Sequence, residues 1–190
     1  MKQTAPAWEK DGYLLRPAQA DDAENYYMNN FVPLDPETAM LTGCKPVFSR
    51  EEVISAFLQW VADGDRRHFL ILDPCGDIIG ESVINEIDWE ARSANFRIGL
   101  FHQGDRGQGI GTWAVEKTRD FAFEELGLHR LELDVFSFNP RAERVYAKAG
   151  FRREGVLRDA LWDGKTYADD ILMALLEDEW RELKQLEKKS

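Results

Sequence analysis

Residues 106–111 read Arg-Gly-Gln-Gly-Ile-Gly and stand between a strand-like run at 95–101 and a long helix-like run at 112–126. A strand that passes through glycines into a helix leaves the first N–H groups of that helix without intrahelical partners, at the positive end of its dipole. Such a turn holds a phosphate or pyrophosphate without any side-chain charge. The spacing is not that of the nucleoside-triphosphate loop, because no Gly-Lys-Ser/Thr follows. Nor is it G-x-G-x-x-G after a first strand, since the turn lies past the middle of the chain. A different nucleotide-type ligand is implied.

The chain of 190 residues is long enough to bury a proper core, and residues 1–190 are expected to form one domain. The net charge is −11, from 24 Lys plus Arg against 35 Asp plus Glu. That excess acid disfavours a nucleic-acid partner and is compatible with a cationic substrate such as an amine. Cys44 and Cys75 belong to no paired motif and lie beside no clustered histidines, so no metal is expected and a reducing compartment is. The first ten residues lack the apolar stretch of a signal peptide, and no run is long enough to span a bilayer. These features set the expectation of a cytoplasmic protein without a membrane partner.

Apolar patterning predicts a first strand at 13–16, ended by Pro17, and a helix from Asp21 and Asp22 to about Asn30. Residues 31–48 hold Pro33, Pro36, Gly43 and Pro46 and read as a loop with at most one helical turn. Ser49 with Glu52 three residues on is a capping box that opens a helix with Val53, Ile54, Phe57, Leu58 and Val61 on one face. Strands follow at 68–72, 78–87 and 95–101. After the glycine turn and its helix, which stops at Gly127, the alternation of Leu131, Leu133 and Val135 marks a strand at 130–136. Asn139-Pro140 opens a helix that ends at Gly150. Strands at 151–157 and 170–176 flank a turn at 163–165, and an amphipathic helix covers 177–188. The order is β-α-α-β-β-β-α-β-α-β-β, a mixed α/β fold with its core at 12–176 and an extra C-terminal helix.

The glycine turn has a companion motif. Downstream stand Asn139, Ala142, Tyr146, Gly150 and Phe151, at spacings Asn-x-x-Ala and then Tyr before Gly-Phe. Together with Arg106, Gly109 and Gly111, this pair resembles the two signature motifs of the GNAT superfamily of acetyl-CoA-dependent N-acetyltransferases. The strand order is also similar over about residues 12–176. Residues 151–158, with Tyr167 and Asp169 after the 163–165 turn, resemble the RimJ/RimL branch. That branch includes ribosomal-protein N-terminal acetyltransferases and relatives that acetylate spermidine.

The resemblance implies a splayed mixed sheet and acetyl-CoA as acyl donor. It assigns the pyrophosphate to the backbone of Arg106, Gly107, Gln108, Gly109, Ile110, Gly111 and Thr112, an anion at a helix N-terminus. It implies that the strand before the turn bulges and splays, so that the pantetheine arm pairs with the backbone of Gly99, Leu100 and Phe101 as an added strand. Asn139 then contacts the cofactor and caps its own helix. Tyr146 becomes the general acid at the sulfur. A phenol of pKa ~10 donates only modestly to a thiolate of pKa ~8.5, so hydrogen-bond stabilisation outweighs full transfer.

The base is less legible. Many relatives carry Glu two positions before Arg97, where this chain has Asn95. Glu86, Asp88 and Glu81 remain, and Glu86 is the choice, as a strand-end carboxylate able to work through water. His68, His102 and His129 read as structural. The acceptor pocket is expected between the two N-terminal helices, the 31–48 loop and the 159–169 hairpin, with Trp89, Trp162 and Tyr167 as candidate lining. The acceptor is expected to be a peptide N-terminus or a polyamine. Oligomeric state stays open, a homodimer included. Two competing readings are a non-catalytic CoA-binding module, which Tyr146 argues against, and use of another acyl donor such as succinyl-CoA, which Arg97 leaves open.

Overall fold

The computed structural model describes residues 6–45, 47–162 and 165–189. Eight strands among them form one sheet in the order β1-β2-β3-β4-β5-β6-β8-β7. They are β1 Trp8–Lys10, β2 Tyr13–Pro17, β3 Arg67–Leu72, β4 Ile78–Asp88, β5 Ser93–Leu100, β6 Arg130–Phe136, β7 Arg152–Trp162 and β8 Tyr167–Leu176. The helices are α1 Ala23–Phe31, α2 Pro36–Thr42, α3 Arg50–Ala62, α4 Ile110–Glu124, α5 Pro140–Lys148 and α6 Glu177–Glu187. The mixed α/β order expected from the sequence is present, with two additions.

The first addition is β1. Asp11 and Gly12 both take positive φ, 52° and 84°, the pair of left-handed residues that closes a two-residue hairpin with the twist of its strands. Trp8 then packs its ring 5.4 Å from that of Phe69. The second is α2, where the sequence promised one turn at most. Asp35 accepts from the Glu37 N–H, Pro36 occupies the first turn and Gly43 closes the helix with φ 65°. The capping box at Ser49 and Glu52 forms as expected. Of the predicted 163–165 turn, Asp163 and Gly164 lie outside the described residues, as does Pro46 of the 31–48 segment.

Two apolar layers cover the sheet. Leu70, Leu72 and Ile78 pack with Tyr26 of α1 and with Val53 and Phe57 of α3 on one face. On the other, Phe69, Ile71, Phe96, Leu131, Leu133 and Val135 pack with Trp113 and Ala114 of α4, Tyr146 of α5 and Trp180 of α6.

The sheet opens in the middle. β5 and β6 pair in parallel over three rows only, Ser93↔Arg130, Ala94↔Leu131 and Asn95↔Glu132. Beyond that row β5 stays in register with β4, from Asn95↔Asn85 to Leu100↔Gly80. β6 continues with β8 from Leu133↔Met173 to Phe136↔Asp170. The two halves therefore diverge at Asn95 and Glu132, which gives the expected splay. The expected bulge in the strand before the turn is not found. β5 is regular, and the irregularity falls on β4, where Glu86 and Ile87 stand between the Asn85↔Asn95 and Asp88↔Ser93 rows. Glu86 takes φ 54° there.

Candidate active site

The glycine turn follows a short 3-10 turn, Gln103–Asp105. The Arg106 N–H is used inside it, donating to Gln103 O at 3.2 Å. Gly107 and Gly109 then take φ of 83° and 80°. The first bond into α4 runs from the Trp113 N–H to Gly109 O at 3.1 Å, and no side chain caps the helix. The N–H groups of Gly107, Gln108, Gly109, Ile110, Gly111 and Thr112 have no acceptor among the described residues. A Cβ on Gly107 or Gly109 would meet no atom within 4 Å. The turn is thus a set of unpaired donors at the positive end of a 15-residue helix, with open space before them.

The Arg106 side chain points the other way. It is 7% exposed and donates to Glu37 Oε2 at 2.6 Å and Thr38 Oγ1 at 2.5 Å, with Asp35 Oδ2 and Leu100 O each at 3.4 Å. Gln108 is held as well, accepting from the Tyr13 hydroxyl at 3.0 Å and donating to Gly104 O at 3.2 Å. These side chains pin the turn while its backbone stays free.

The β5 edge divides by strand alternation. The Phe101 N–H donates to Ile79 O at 2.8 Å, so residues 95, 97, 99 and 101 turn their backbone groups toward β4. Phe101 O is also taken, by Thr38 Oγ1 at 2.8 Å. Of the three residues expected to face the gap, Leu100 does so and Gly99 and Phe101 do not. Ile98, which the sequence reading passed over, faces it too.

Tyr146 lies on α5 beneath the divergence. Asn139 caps that helix through Oδ1, accepting from the Ala142 N–H at 3.2 Å. The Tyr146 ring meets Phe96 of β5 and Phe151 edge-on, at centroid distances of 6.4 and 6.2 Å. Burial, and then the Asp134 carboxylate of β6, push its phenol well above the ordinary tyrosine value. Gly150 carries φ 100°, and a Cβ there would come within 2.9 Å of Leu183 Cδ2, so the Gly-Phe pair is fixed by packing.

The three carboxylate candidates differ sharply. Asp88 Oδ1 is occupied by the N–H groups of Glu90 and Ala91 at 2.9 and 2.8 Å. Glu81 lies among α1, β3 and β4, accepting from Tyr26 OH at 2.9 Å and meeting His68 Nε2 at 2.7 Å. Burial would raise its pKa, but the His68 bond and charge, Arg97 and Tyr26 outweigh that and hold it at about 2. Glu86 is exposed and makes no hydrogen bond or ion pair with described residues. The Glu81–His68–Tyr26 cluster was not legible beforehand, because its members come from three elements.

The pocket elements meet in part. Met40 of α2, Ser137 and Phe138 of the β6–α5 connection, and Tyr167 and Asp169 of β8 line one surface cleft. Trp162 packs on Tyr167 at a centroid distance of 4.8 Å. Trp89 is elsewhere, its Nε1 bound to Asp65 at 2.7 Å.

The Acetyltransferase (GNAT) domain family matches residues 13–152 of this chain. The chain belongs to the GNAT acetyltransferase family. It is an N-acetyltransferase, and acetyl-CoA is its donor. The chain is 28% identical over 136 residues to a spermidine N(1)-acetyltransferase of Vibrio cholerae, covering 72% of this chain and 78% of that protein. The fold superimposes on the Vibrio cholerae spermidine N-acetyltransferase solved with CoA and spermine, at a TM-score of 0.79 and 24% identity, covering 90% and 99% of the two chains. It also superimposes on a ribosomal-protein-S5-alanine acetyltransferase from Vibrio fischeri, at a TM-score of 0.77 and 25% identity, covering 92% and 98%.

Proposed function

We propose that this acetyltransferase moves the acetyl group directly onto a primary amine, with residues 1–190 working as one domain. The observation that carries the reading is the divergence of β5 and β6 after Asn95↔Glu132, with free N–H groups at its wide end and Tyr146 beneath it. When bound, acetyl-CoA supplies a thioester carbonyl open to attack by a neutral amine. The N–H groups of residues 107–112 hold the pyrophosphate. Ile98 and Leu100 offer backbone groups to the pantetheine amides. Asn139, oriented by its capping bond to the Ala142 N–H, is assigned a contact with the cofactor.

Tyr146 donates a hydrogen bond to the departing sulfur. Its raised pKa keeps the phenol protonated and makes it a stabilising donor more than a complete proton source. Glu86 accepts the proton of the acceptor ammonium, directly or through water. Its freedom from partners supports that role, since Asp88 and Glu81 are both engaged.

The relatives' names point to polyamines and to protein N-termini as acceptor classes. No helix among the described residues is long and apolar enough to cross a membrane, which fits action in the cytoplasm. A homodimer fits the exposed edge strand β7. The test is thiol release from acetyl-CoA against polyamines and N-terminal peptides. Turnover with at least one primary amine is expected. Tight CoA binding without thiol release from any acceptor would leave a non-catalytic CoA-binding module instead.

A further inference from the structure

Four of the buried side-chain atoms without a hydrogen-bond partner lie close together. They are Arg66 Nε and Nη2, His68 Nδ1 and Asn85 Oδ1. Arg67 pairs with Ile84 and His68 with Val83, so continuation of the register sets Arg66 opposite Asn85. Asn85 pairs in turn with Asn95, and Val83 with Arg97. Arg66, His68, Val83, Asn85, Asn95 and Arg97 share the sheet face covered by α1 and α3, as the packing of His68 against Tyr26, Phe57 and Trp60 requires. The row ends at Asn95, where β5 and β6 part.

Two guanidinium groups meet at this place. Arg66 is 9% exposed and stands over the Trp60 ring at 4.8 Å. Arg97 is exposed and approaches the same ring at 5.8 Å. Neither makes a salt bridge, and neither donates a side-chain hydrogen bond to a described residue. Arg106 and Arg119, comparably buried, each hold two carboxylates. The charge of Glu81 reaches both guanidinium groups, but the hydrogen bonds of the nearby acids go elsewhere. Glu81 serves His68 and Tyr26, Asp63 Oδ1 accepts from the Asp65 N–H, and Asp65 Oδ1 accepts from Trp89. Burial, and then the charge of Arg97, pull the Arg66 pKa down from its ordinary value against the smaller opposing charge of Glu81. A buried cation beside a second cation at one indole, with no carboxylate among the described residues hydrogen-bonded to either, is costly unless an anion bridges them.

We propose that the amine acceptor carries a carboxylate, held by Arg66 and Arg97 beside Trp60. This rests on the acetyltransferase reading and narrows its acceptor to an amino-acid-like or short peptide-like amine, against a purely cationic polyamine. Arg66 precedes β3, two strand spacings of about 4.8 Å from β5, and Arg97 is on β5 itself. A carboxylate bridging them lies beside the gap on the acceptor side, while the donor enters from the glycine turn at the far end of β5.

The experiment compares glycine, diglycine and triglycine with their carboxamides, and with propylamine and spermidine, by thiol release from acetyl-CoA using the full chain. At least one acid should exceed its amide about tenfold in kcat/KM. Arg97→Gln should erase that ratio by raising KM for the acid, and Arg66→Lys should keep part of it. Turnover of propylamine or spermidine with no acid preference overturns the carboxylate site and leaves the acetyltransferase standing. Loss of succinyl-CoA use in Arg97→Gln with an unchanged acid-to-amide ratio also overturns it, placing the arginines on the donor.

If no acceptor releases thiol, the acetyltransferase reading fails separately, and binding decides the site. N-acetylglycine should then change the tryptophan fluorescence of the full chain. The change should vanish in Trp60→Phe and weaken about tenfold in Arg97→Gln, and N-acetylglycinamide should give none. Equal binding of acid and amide, or binding of neither, overturns the site.

Discussion

Arg106 Nη1 lies 2.6 Å from Glu37 Oε2, and this one contact joins the glycine turn to a helix 69 residues earlier in the chain. The turn is therefore shaped by α2 as much as by its own glycines. Arg106→Ala strips Asp35, Glu37 and Thr38 of a buried donor at once. It is expected to cost about 2–3 kcal/mol in denaturant unfolding. Glu37→Ala, at a half-exposed carboxylate, should cost clearly less. Acetyl-CoA affinity should fall in both, because the free N–H groups lose their support. Equal stability of the two variants would refute the clamp.

Gly109 separates shape from binding. Its φ of 80° makes an alanine there cost about 1 kcal/mol, although its Cβ would meet nothing in the chain. The same Cβ would stand where an anion approaches the N–H groups. Gly109→Ala is expected to weaken acetyl-CoA binding about tenfold or more by calorimetry, well beyond its effect on stability. Gly104→Ala, with open space and no positive φ, serves as the neutral control.

Local chemistry made much of this visible in advance. Ser49 with Glu52, Asn139 with Pro140, and the glycines at 107 and 109 each declare an element boundary by a rule that acts within four residues. What escaped is non-local. β1 spans three residues, and Trp8 finds its place only against Phe69 and Phe121. The start of α2 is held at Asp35 and Thr38 by Arg106, far along the chain. The alternation that turns Gly99 away from the gap and Ile98 toward it depends on the register with β4. The unpartnered arginines beside Trp60 required three elements to be brought together before they could be seen.

Glu81 sets an acid-stability limit. Its folded pKa of about 2 lies below the ordinary value of 4.5, so the protonated form is disfavoured by the fold. Its contribution is fully present above about pH 4.5 and is lost as the pH falls toward 2. Glu81→Gln should flatten the pH dependence of the unfolding free energy between pH 5 and 2. Glu81→Ala should destabilise at neutral pH by about 3 kcal/mol, since it strands His68 and Tyr26. An unchanged acid limb in Glu81→Gln would show that another carboxylate governs it.

The central claim is that Tyr146 acts on the departing sulfur and that the turn at 107–112 grips the donor independently of it. Tyr146→Phe keeps the ring packed against Phe96 and Phe151 and removes only the hydroxyl. The direct measurement is acetyl-CoA turnover by thiol release beside CoA affinity by calorimetry, on the same preparation of this variant. The account predicts a fall in kcat of about a hundredfold or more with CoA affinity unchanged. Full turnover in Tyr146→Phe, or loss of affinity in step with kcat, would contradict it.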